Sequence, residues 1–446
     1  MATRAETIFA LSTAAGRAAI AVVRVSGPGA GPALEALTGR ARPKPRYASL
    51  RRLRDPDSGE AIDDGLVLWF PGPGSETGED MAEFQIHGGR ATVAALLAAL
   101  ARLPGLRLAR PGEFTRRAFE NGKLDLTAVE GLADLIEAET EAQRRQAERQ
   151  MRGELGRLYE TWRAGLMGIH AQAEAAIEFP DEAAEQGFGQ KIASQVTALS
   201  AEIARHLDDG ARGERLRVGL SVAILGAPNV GKSSLLNALS KREAAIVSAR
   251  AGTTRDVVEV QLDLGGYPVL LADTAGIRDS GDEIEIEGVR RAKMRAENAD
   301  VRVIVLDAQT WPEVPAEVRA LACHDALIVL NKVDLTRPAN AESFEGKQVL
   351  KLSARTGEGV GELLAALERE AVARMGFAEA PGVTRARHRE SLERCRAALA
   401  RSAEATLPEL IAEDLRLAAR ELGRITGRVG VEDLLDAIFK DFCIGK

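Results

Sequence analysis

Residues 226–233 read Gly-Ala-Pro-Asn-Val-Gly-Lys-Ser, a complete G-x-x-x-x-G-K-[ST] stretch. The apolar run Val222–Leu225 leads into it, and Ser234–Leu239 leaves it with helical character. Strand, glycine-rich loop and helix start are the setting in which this pattern binds phosphate. Loop N–H groups at a helix N-terminus would cradle a nucleoside triphosphate. Asn229, Val230, Gly231, Lys232, Ser233 and Ser234 are the expected contacts. Lys232 would reach the β- and γ-phosphates, and the Ser233 hydroxyl would hold Mg²⁺.

Three further motifs follow in order, each after a strand-like run. Asp273-Thr274-Ala275-Gly276 follows Val269–Ala272; Asp273 would stand behind the Mg²⁺ shell and the Gly276 N–H would face the γ-phosphate. Asn331-Lys332-Val333-Asp334 follows Leu327–Leu330. A carboxylate at Asp334 accepts both N1–H and the 2-amino group of guanine, and adenine offers neither, so this motif selects GTP. Ser353-Ala354-Arg355 follows Val349–Leu352 and completes the base site. A polar turn would explain any one of these tetrapeptides; the ordered set points to a GTPase domain.

The chain also resembles the MnmE (TrmE) family of tRNA-modification GTPases, along essentially its whole length. The resemblance rests on Arg24-Val25-Ser26-Gly27, on Pro111-Gly-Glu-Phe-Thr-Arg-Arg-Ala-Phe119, on Ala251-Gly-Thr-Thr-Arg-Asp256 and on Cys443-Ile-Gly-Lys446. It implies a multidomain α/β and α fold: an α+β N-terminal domain, a discontinuous helical domain and an inserted P-loop GTPase domain.

Composition bounds these expectations. A chain of 446 residues is too long for one core. Fifty-nine Lys+Arg against 66 Asp+Glu give a net charge of −7, so any RNA contact is local or delegated to a partner. The three cysteines, 323, 395 and 443, have no C-x-x-C spacing and speak against a disulfide framework. The five histidines form no zinc pattern. No apolar run approaches about 18 residues, so a cytoplasmic protein without a membrane span is expected.

Residues 1–119 mix short apolar runs (Ala19–Val25, Leu66–Phe70, Met81–Ile86) with turn-rich loops and one helical stretch, Val93–Leu100. From Gly112 to Phe179 there is no proline, and Leu124, Leu126, Val129, Leu132, Leu135 and Ile136 have helical spacing. Helical character resumes from about Arg385 to Phe442. The expected divisions are 1–119, an N-terminal folate-binding and dimerisation domain; 120–215, the first helical part; 216–376, the GTPase domain; and 377–446, the second helical part with the Cys-Ile-Gly-Lys tail. Gly357-Glu-Gly359-Val-Gly361 reads as a plain turn rather than a dinucleotide fingerprint.

The position that carries a water-orienting Gln in Ras-like proteins is Ile277, so another group must act. The acidic stretch Asp282-Glu283-Ile284-Glu285 lies downstream, either as a solvated face or as the source of that group. The resemblance assigns Glu285 the catalytic role. It also implies K⁺ beside the phosphates, ligated by Asn229 and by carbonyls of Ser248, Arg250 and Thr253, with Thr254 on Mg²⁺. Arg255 and Arg278 are rival cations, with surface ion pairs as their plain reading. Hydrolysis would then depend on K⁺ and on dimerisation of two G domains.

For the ends of the chain, the resemblance implies a one-carbon folate (5,10-methylene- or 5-formyl-tetrahydrofolate) on Arg24, Glu83, Lys123 and Lys446. Arg and Lys suit the glutamyl carboxylates, and Glu suits the pterin edge. Read alone, these are surface charges, and Cys443 is a tail thiol. The resemblance places Cys443 at the modification site with its role open. The implied protein is a homodimer that joins a FAD-dependent MnmG-type partner in a heterotetramer. It would add an aminomethyl or carboxymethylaminomethyl group to C5 of the tRNA wobble uridine, with glycine or ammonium as amine donor. A ribosome-assembly GTPase of the Era type, or a GTP-dependent scaffold, are the competing readings.

Overall fold

The computed structural model describes residues 6–181, 187–209, 211–242, 244–246, 259–273, 299–322, 326–376 and 381–430, together with 435, 438, 439, 442 and 445. The chain divides into two compact units. One comprises Met1–Ala133, Met151–Ala164 and Arg420–Lys446; the other comprises Asp134–Gln150 and Gly165–Ala419.

The first unit is built on a six-stranded sheet: β1 (Thr7–Leu11), β2 (Ile20–Ser26), β3 (Ser49–Arg54), β4 (Ala61–Phe70), β5 (Met81–His87) and β6 (Leu106–Leu108), in the order β3-β4-β5-β2-β1-β6. Only β6 runs parallel to its neighbour, β1. Strand alternation separates the two faces. Ala21, Val23 and Val25 of β2 join Val67, Trp69, Phe84 and Ile86 on one face, under helices Ala30–Thr38 and Arg90–Arg102. On the other face helix Glu113–Glu120 lays Phe114 over Ile8 and Ala10. That second face keeps polar residues of β2 and β5, Arg24, Ser26 and Glu83.

Asp125 starts the next helix, Leu126–Glu137: its carboxylate accepts from the Ala128 N–H at 3.0 Å and the Thr127 hydroxyl at 2.6 Å, as a capping residue does. Leu126 and Val129 then pack with Leu435, Phe439 and Phe442. The end of the chain returns to the sheet, where the Ser12 hydroxyl donates to the Gly445 carbonyl at 3.0 Å. Gly445 has φ +99°, and a Cβ there would stand 2.2 Å from the Leu11 carbonyl oxygen, so the position requires glycine.

The second unit carries an eight-stranded sheet: β7 (Leu220–Leu225), β8 (Ala245–Ile246), β9 (Glu259–Leu264), β10 (Tyr267–Asp273), β11 (Val301–Asp307), β12 (Ala326–Asn331), β13 (Ser343–Phe344) and β14 (Lys347–Lys351), in the order β13-β14-β12-β11-β7-β10-β9-β8. The five strands from β14 to β10 are parallel. They read as apolar runs because helices cover both faces. Helices Lys232–Ser240 and Val360–Met375 close one core, and Val318 with Phe344 closes the other. The turn expected at 357–361 is a turn: the Gly357 N–H donates to the Ser353 carbonyl at 2.9 Å, and Gly359, at φ +71°, precedes helix Val360–Met375.

The chain enters and leaves this sheet region at one place. Gly213 lies so close to Val383 that a Cβ would fall 2.4 Å from its carbonyl oxygen. Arg217 donates to the Thr384 carbonyl at 3.1 Å, and Arg389 reaches Glu214 at 2.9 Å and the Leu207 carbonyl at 3.0 Å. Beside this clasp, helices Phe188–Leu207 and Ala386–Glu404 pack together and bring His206 near His388.

Burial, with the nearby charges of His388 and Arg389, pushes His206 down to about 4. The folded chain therefore refuses a proton that the unfolded chain accepts. Stability is intact above pH 6.5 and falls by roughly 3 kcal/mol as pH drops toward 4. Denaturant titrations at pH 7.5 and 4.5 should show His206→Leu losing less stability than the unaltered chain. Equal losses would show that His206 protonates without cost.

Candidate functional site

The nucleotide-binding candidate sits where β7, β11, β12 and β14 end. Gly226 has φ +150°, and a Cβ there would stand 2.4 Å from the Val305 carbonyl, so the loop can leave β7 only as glycine. Asn229 is held at φ +61° and is exposed. Gly231, at φ +98°, precedes helix Lys232–Ser240; a Cβ there would meet the Asn331 amide nitrogen at 2.3 Å. The Lys232 ammonium curls over the loop, donating to the carbonyls of Gly226 at 3.0 Å and Ala227 at 2.9 Å. Ser233 and Ser234 are exposed at the helix start, and Val230 is buried.

Asn331 joins this loop to the base-recognition side. It is 2% exposed. Its Nδ2 donates to the Val230 carbonyl at 2.8 Å, and its Oδ1 accepts from the Ala354 N–H at 2.9 Å. Lys332 follows at φ +68°, an unusual backbone for a side-chain-bearing residue, and pairs with Asp307 at 2.7 Å. Ser353 is fully buried and its hydroxyl accepts from the Thr356 N–H at 3.2 Å, while Arg355 is exposed. Asp334 is also exposed, so its carboxylate is open to a base edge rather than already buried. Asp307, at the end of β11, was not visible as a site residue from its own sequence context. Its signal is its place on the strand between β7 and β12.

The loop, the Asn331-Lys332-Val333-Asp334 turn and the Ser353-Ala354-Arg355 turn therefore meet at one rim. The residues fit a triphosphate with a divalent cation: close backbone turns with no Cβ, a lysine above them and a hydroxyl at a helix N-terminus. Asp273 ends β10 beside β7, with only its backbone described. Ser248, Arg250, Thr253, Thr254, Arg255, Thr274, Ala275, Gly276, Ile277, Arg278, Glu285, Cys443 and Lys446 lie outside the described residues.

The polar face of the first unit gathers the other predicted residues. Arg24 and Glu83 face each other across β2 and β5 and form an ion pair at 2.9 Å. Arg24 also holds Glu76 at 2.7 Å and lies 5.9 Å from the Phe114 ring centroid. Lys123 donates to the Pro73 carbonyl at 2.7 Å, on the same loop as Glu76. Sequence reasoning missed the supports of this face. Arg117 binds Glu79 at 2.9 Å, and Ser26 binds both Glu79 and Thr77 at 2.7 Å. Burial of Glu113 opposes its ionisation, but Arg107, the Arg110 N–H and Arg117 outweigh burial and bring its carboxyl down to about 2. Gly445 places the end of the chain at Ser12, close to Ala10, which pairs with Arg24 in the sheet register.

Comparison with known proteins agrees with these features. The family model described as the MnmE helical domain matches residues 126–443, and that described as GTP-binding protein TrmE N-terminus matches residues 7–123. A curated relative from Parvibaculum lavamentivorans, named tRNA modification GTPase MnmE, is 62% identical over 99% of this chain and 100% of its own. Relatives of the same name from Paramagnetospirillum magneticum and Rhodospirillum rubrum are 56% and 54% identical, each over 99% of this chain and over 100% and 99% of their own. Among solved structures, the G domain of the T. maritima FeoB iron transporter is 25% identical over 34% of this chain and 97% of its own, with a TM-score of 0.27. With matches of this identity running the length of the chain, the protein belongs to the MnmE family of tRNA modification GTPases.

Proposed function

We propose that the chain hydrolyses GTP in a K⁺-dependent, dimerisation-activated step and uses it to modify the tRNA wobble uridine. It does so with a FAD-dependent MnmG-type partner. The observation that carries the nucleotide part is the rim at Asn331, where phosphate loop and base-recognition turns share one buried side chain.

Asp334 accepts the two guanine hydrogens. Lys232 leaves the Gly226 and Ala227 carbonyls for phosphate oxygens, a change of acceptor from neutral to anionic. Mg²⁺, when bound, neutralises charge on the β- and γ-phosphates, with Ser233 and Thr254 as its protein ligands. Asn229, with the carbonyls of Ser248, Arg250 and Thr253, suits K⁺, and Glu285 orients the attacking water. Asp273, Thr274, Ala275 and Gly276 sense the γ-phosphate.

The polar face of the first unit is the proposed folate site, with Arg24, Glu83, Lys123 and Lys446 as contacts and Cys443 at the modification site. A folate there competes for groups that already pair with one another. The donors of its pterin edge suit Glu83, whose carboxylate now pairs with Arg24, and its glutamyl carboxylates, at the far end of the molecule, suit a lysine. The four-part division at 119, 215 and 376, the homodimer and a cytoplasmic location belong to the same proposal. No described helix is long and apolar enough to cross a membrane.

Asp334→Asn exchanges one acceptor for a donor. GTP affinity should fall by about 100-fold or more, with XTP gaining, since xanthine presents one donor and one acceptor. Titrations with both nucleotides measure this, and unchanged GTP affinity would move base recognition elsewhere. Hydrolysis should be several-fold faster in K⁺ than in Na⁺, and Glu285→Ala should lose about 100-fold or more in rate while keeping nucleotide affinity. Equal rates in both salts would remove the K⁺ step and leave the GTPase intact. Cys443→Ser with the partner present should abolish the modified nucleoside in tRNA digests read by mass spectrometry; normal levels would exclude a role for the thiol.

A further inference from the structure

Residues 39–54 read Gly-Arg-Ala-Arg-Pro-Lys-Pro-Arg-Tyr-Ala-Ser-Leu-Arg-Arg-Leu-Arg, seven cations and no carboxylate in a chain of net charge −7. The stretch forms the loop after helix Ala30–Thr38 and then β3, the edge strand of its sheet. Several carboxylates around it are already matched. Arg42 holds Glu35 at 2.9 Å, Arg52 holds Asp64 at 2.7 Å, and Arg102 holds Asp55 and Asp57. Among the described residues, Arg40, Lys44, Arg46, Arg51 and Arg54 are in ion pairs with none of these; Arg46 and Arg54 donate to the carbonyls of Gly74 and Gly59. Arg54 also lies within electrostatic reach of Asp64, which leaves Arg40, Lys44 and Arg46 of the loop and Arg51 of β3 without a carboxylate partner among the described residues.

Their surroundings suit a nucleic acid. Tyr47 is 57% exposed, and the Lys44 ammonium stands 4.3 Å from its ring centroid. An exposed aromatic among cations is a surface on which bases stack and phosphates pair. Pro43 and Pro45 stiffen the loop, which lowers the entropy lost on binding. Gly74, which receives Arg46, lies on the loop that also receives Lys123 at Pro73 and Arg24 at Glu76. The cationic edge thus borders the proposed folate site.

We propose that this edge docks the sugar–phosphate backbone of the tRNA substrate and presents the tRNA beside loop 71–80. The inference rests on the tRNA-modification reading above. The overall negative charge repels RNA elsewhere, so a local patch of this kind is what the composition demands. A second copy of the chain is the competing occupant, since Leu50 beside these cations is 71% exposed.

Binding of an unmodified tRNA transcript, followed by fluorescence anisotropy from about 50 to 200 mM KCl, tests it. Each phosphate contact contributes close to one to the log–log salt slope. Arg40→Gln and Arg51→Gln should each lower the slope by about one, and the triple change with Lys44→Gln should weaken binding by about tenfold or more. GTP hydrolysis without tRNA should not change. Unaltered slope and affinity in the triple variant would overturn the proposal, as would an absence of tRNA binding by the unaltered chain. Loss of dimer mass in analytical ultracentrifugation with tRNA affinity retained would also overturn it, and would assign the edge to contact between copies. Nucleoside analysis with the unaltered chain and its partner reads the modification activity separately, so failure of that activity is distinguishable from failure of the patch.

Discussion

The nucleotide rim depends on one buried amide. Asn331 spends its nitrogen on the Val230 carbonyl and its oxygen on the Ala354 N–H, so two loops far apart in sequence share a single side chain. Leaving either buried partner unmatched costs about 1–3 kcal/mol. Other constraints follow from it. Gly231 has no room for a Cβ because the Asn331 amide occupies that space. The chain must then turn sharply at Lys332, and the Asp307 ion pair holds the side chain that the turn throws outward. Asp334 emerges two residues later, exposed and aimed by a backbone fixed on both sides. The 226–233 loop and the turn that carries Asp334 are therefore positioned by the same bond set.

The first unit reaches its polar face by a different constraint. Strand alternation puts the apolar half of β2 under two helices and leaves Arg24 and Ser26 on the other side. Those groups are kept from open water by helix Glu113–Glu120 and by loop 71–80. Each carboxylate there meets an arginine: Glu83 and Glu76 meet Arg24, and Glu79 and Glu113 meet Arg117. Charged groups this crowded are stable only as a matched set.

The second sheet was the more legible part in sequence. Val222–Leu225, Val269–Ala272, Leu327–Leu330 and Val349–Leu352 are apolar on both sides because the strands are buried on both sides, and β7, β10, β12 and β14 contain or border them. Helix Arg90–Arg102 was visible from Val93–Leu100 in the same way. β3 was not, because an edge strand with cations on both faces and a single fully buried residue, Leu53, carries almost no apolar pattern. The stretches at 226–233, 331–334 and 353–355 were legible as turns after strands because each follows an apolar run and carries glycine or polar residues at fixed spacing. Asp307 and Glu79 were not, since their partners Lys332 and Arg117 are brought close only by the fold; Glu113 and Arg117 are spaced as helix neighbours, but nothing in that spacing marks them as supports of a polar face. The helical stretch from Gly112 to Phe179 was legible as helix but not as separate helices; its breaks fall at Asn121–Asp125, Ala138–Thr140 and Arg152–Gly153, where glycine and capping residues act without proline.

The meeting of Gly213 with Val383 has a consequence for how the chain comes together. Helices Phe188–Leu207 and Ala386–Glu404 are separated by the entire nucleotide-binding sheet, and closing so long a loop from an unfolded chain carries a large entropic cost. Once the sheet has folded, its two ends stand side by side, and the effective loop between those helices shrinks to a few residues. The folded sheet then plays the part of a hairpin turn. The two helices pair as near neighbours in a chain that has, in effect, been shortened by the contact between one glycine and one carbonyl.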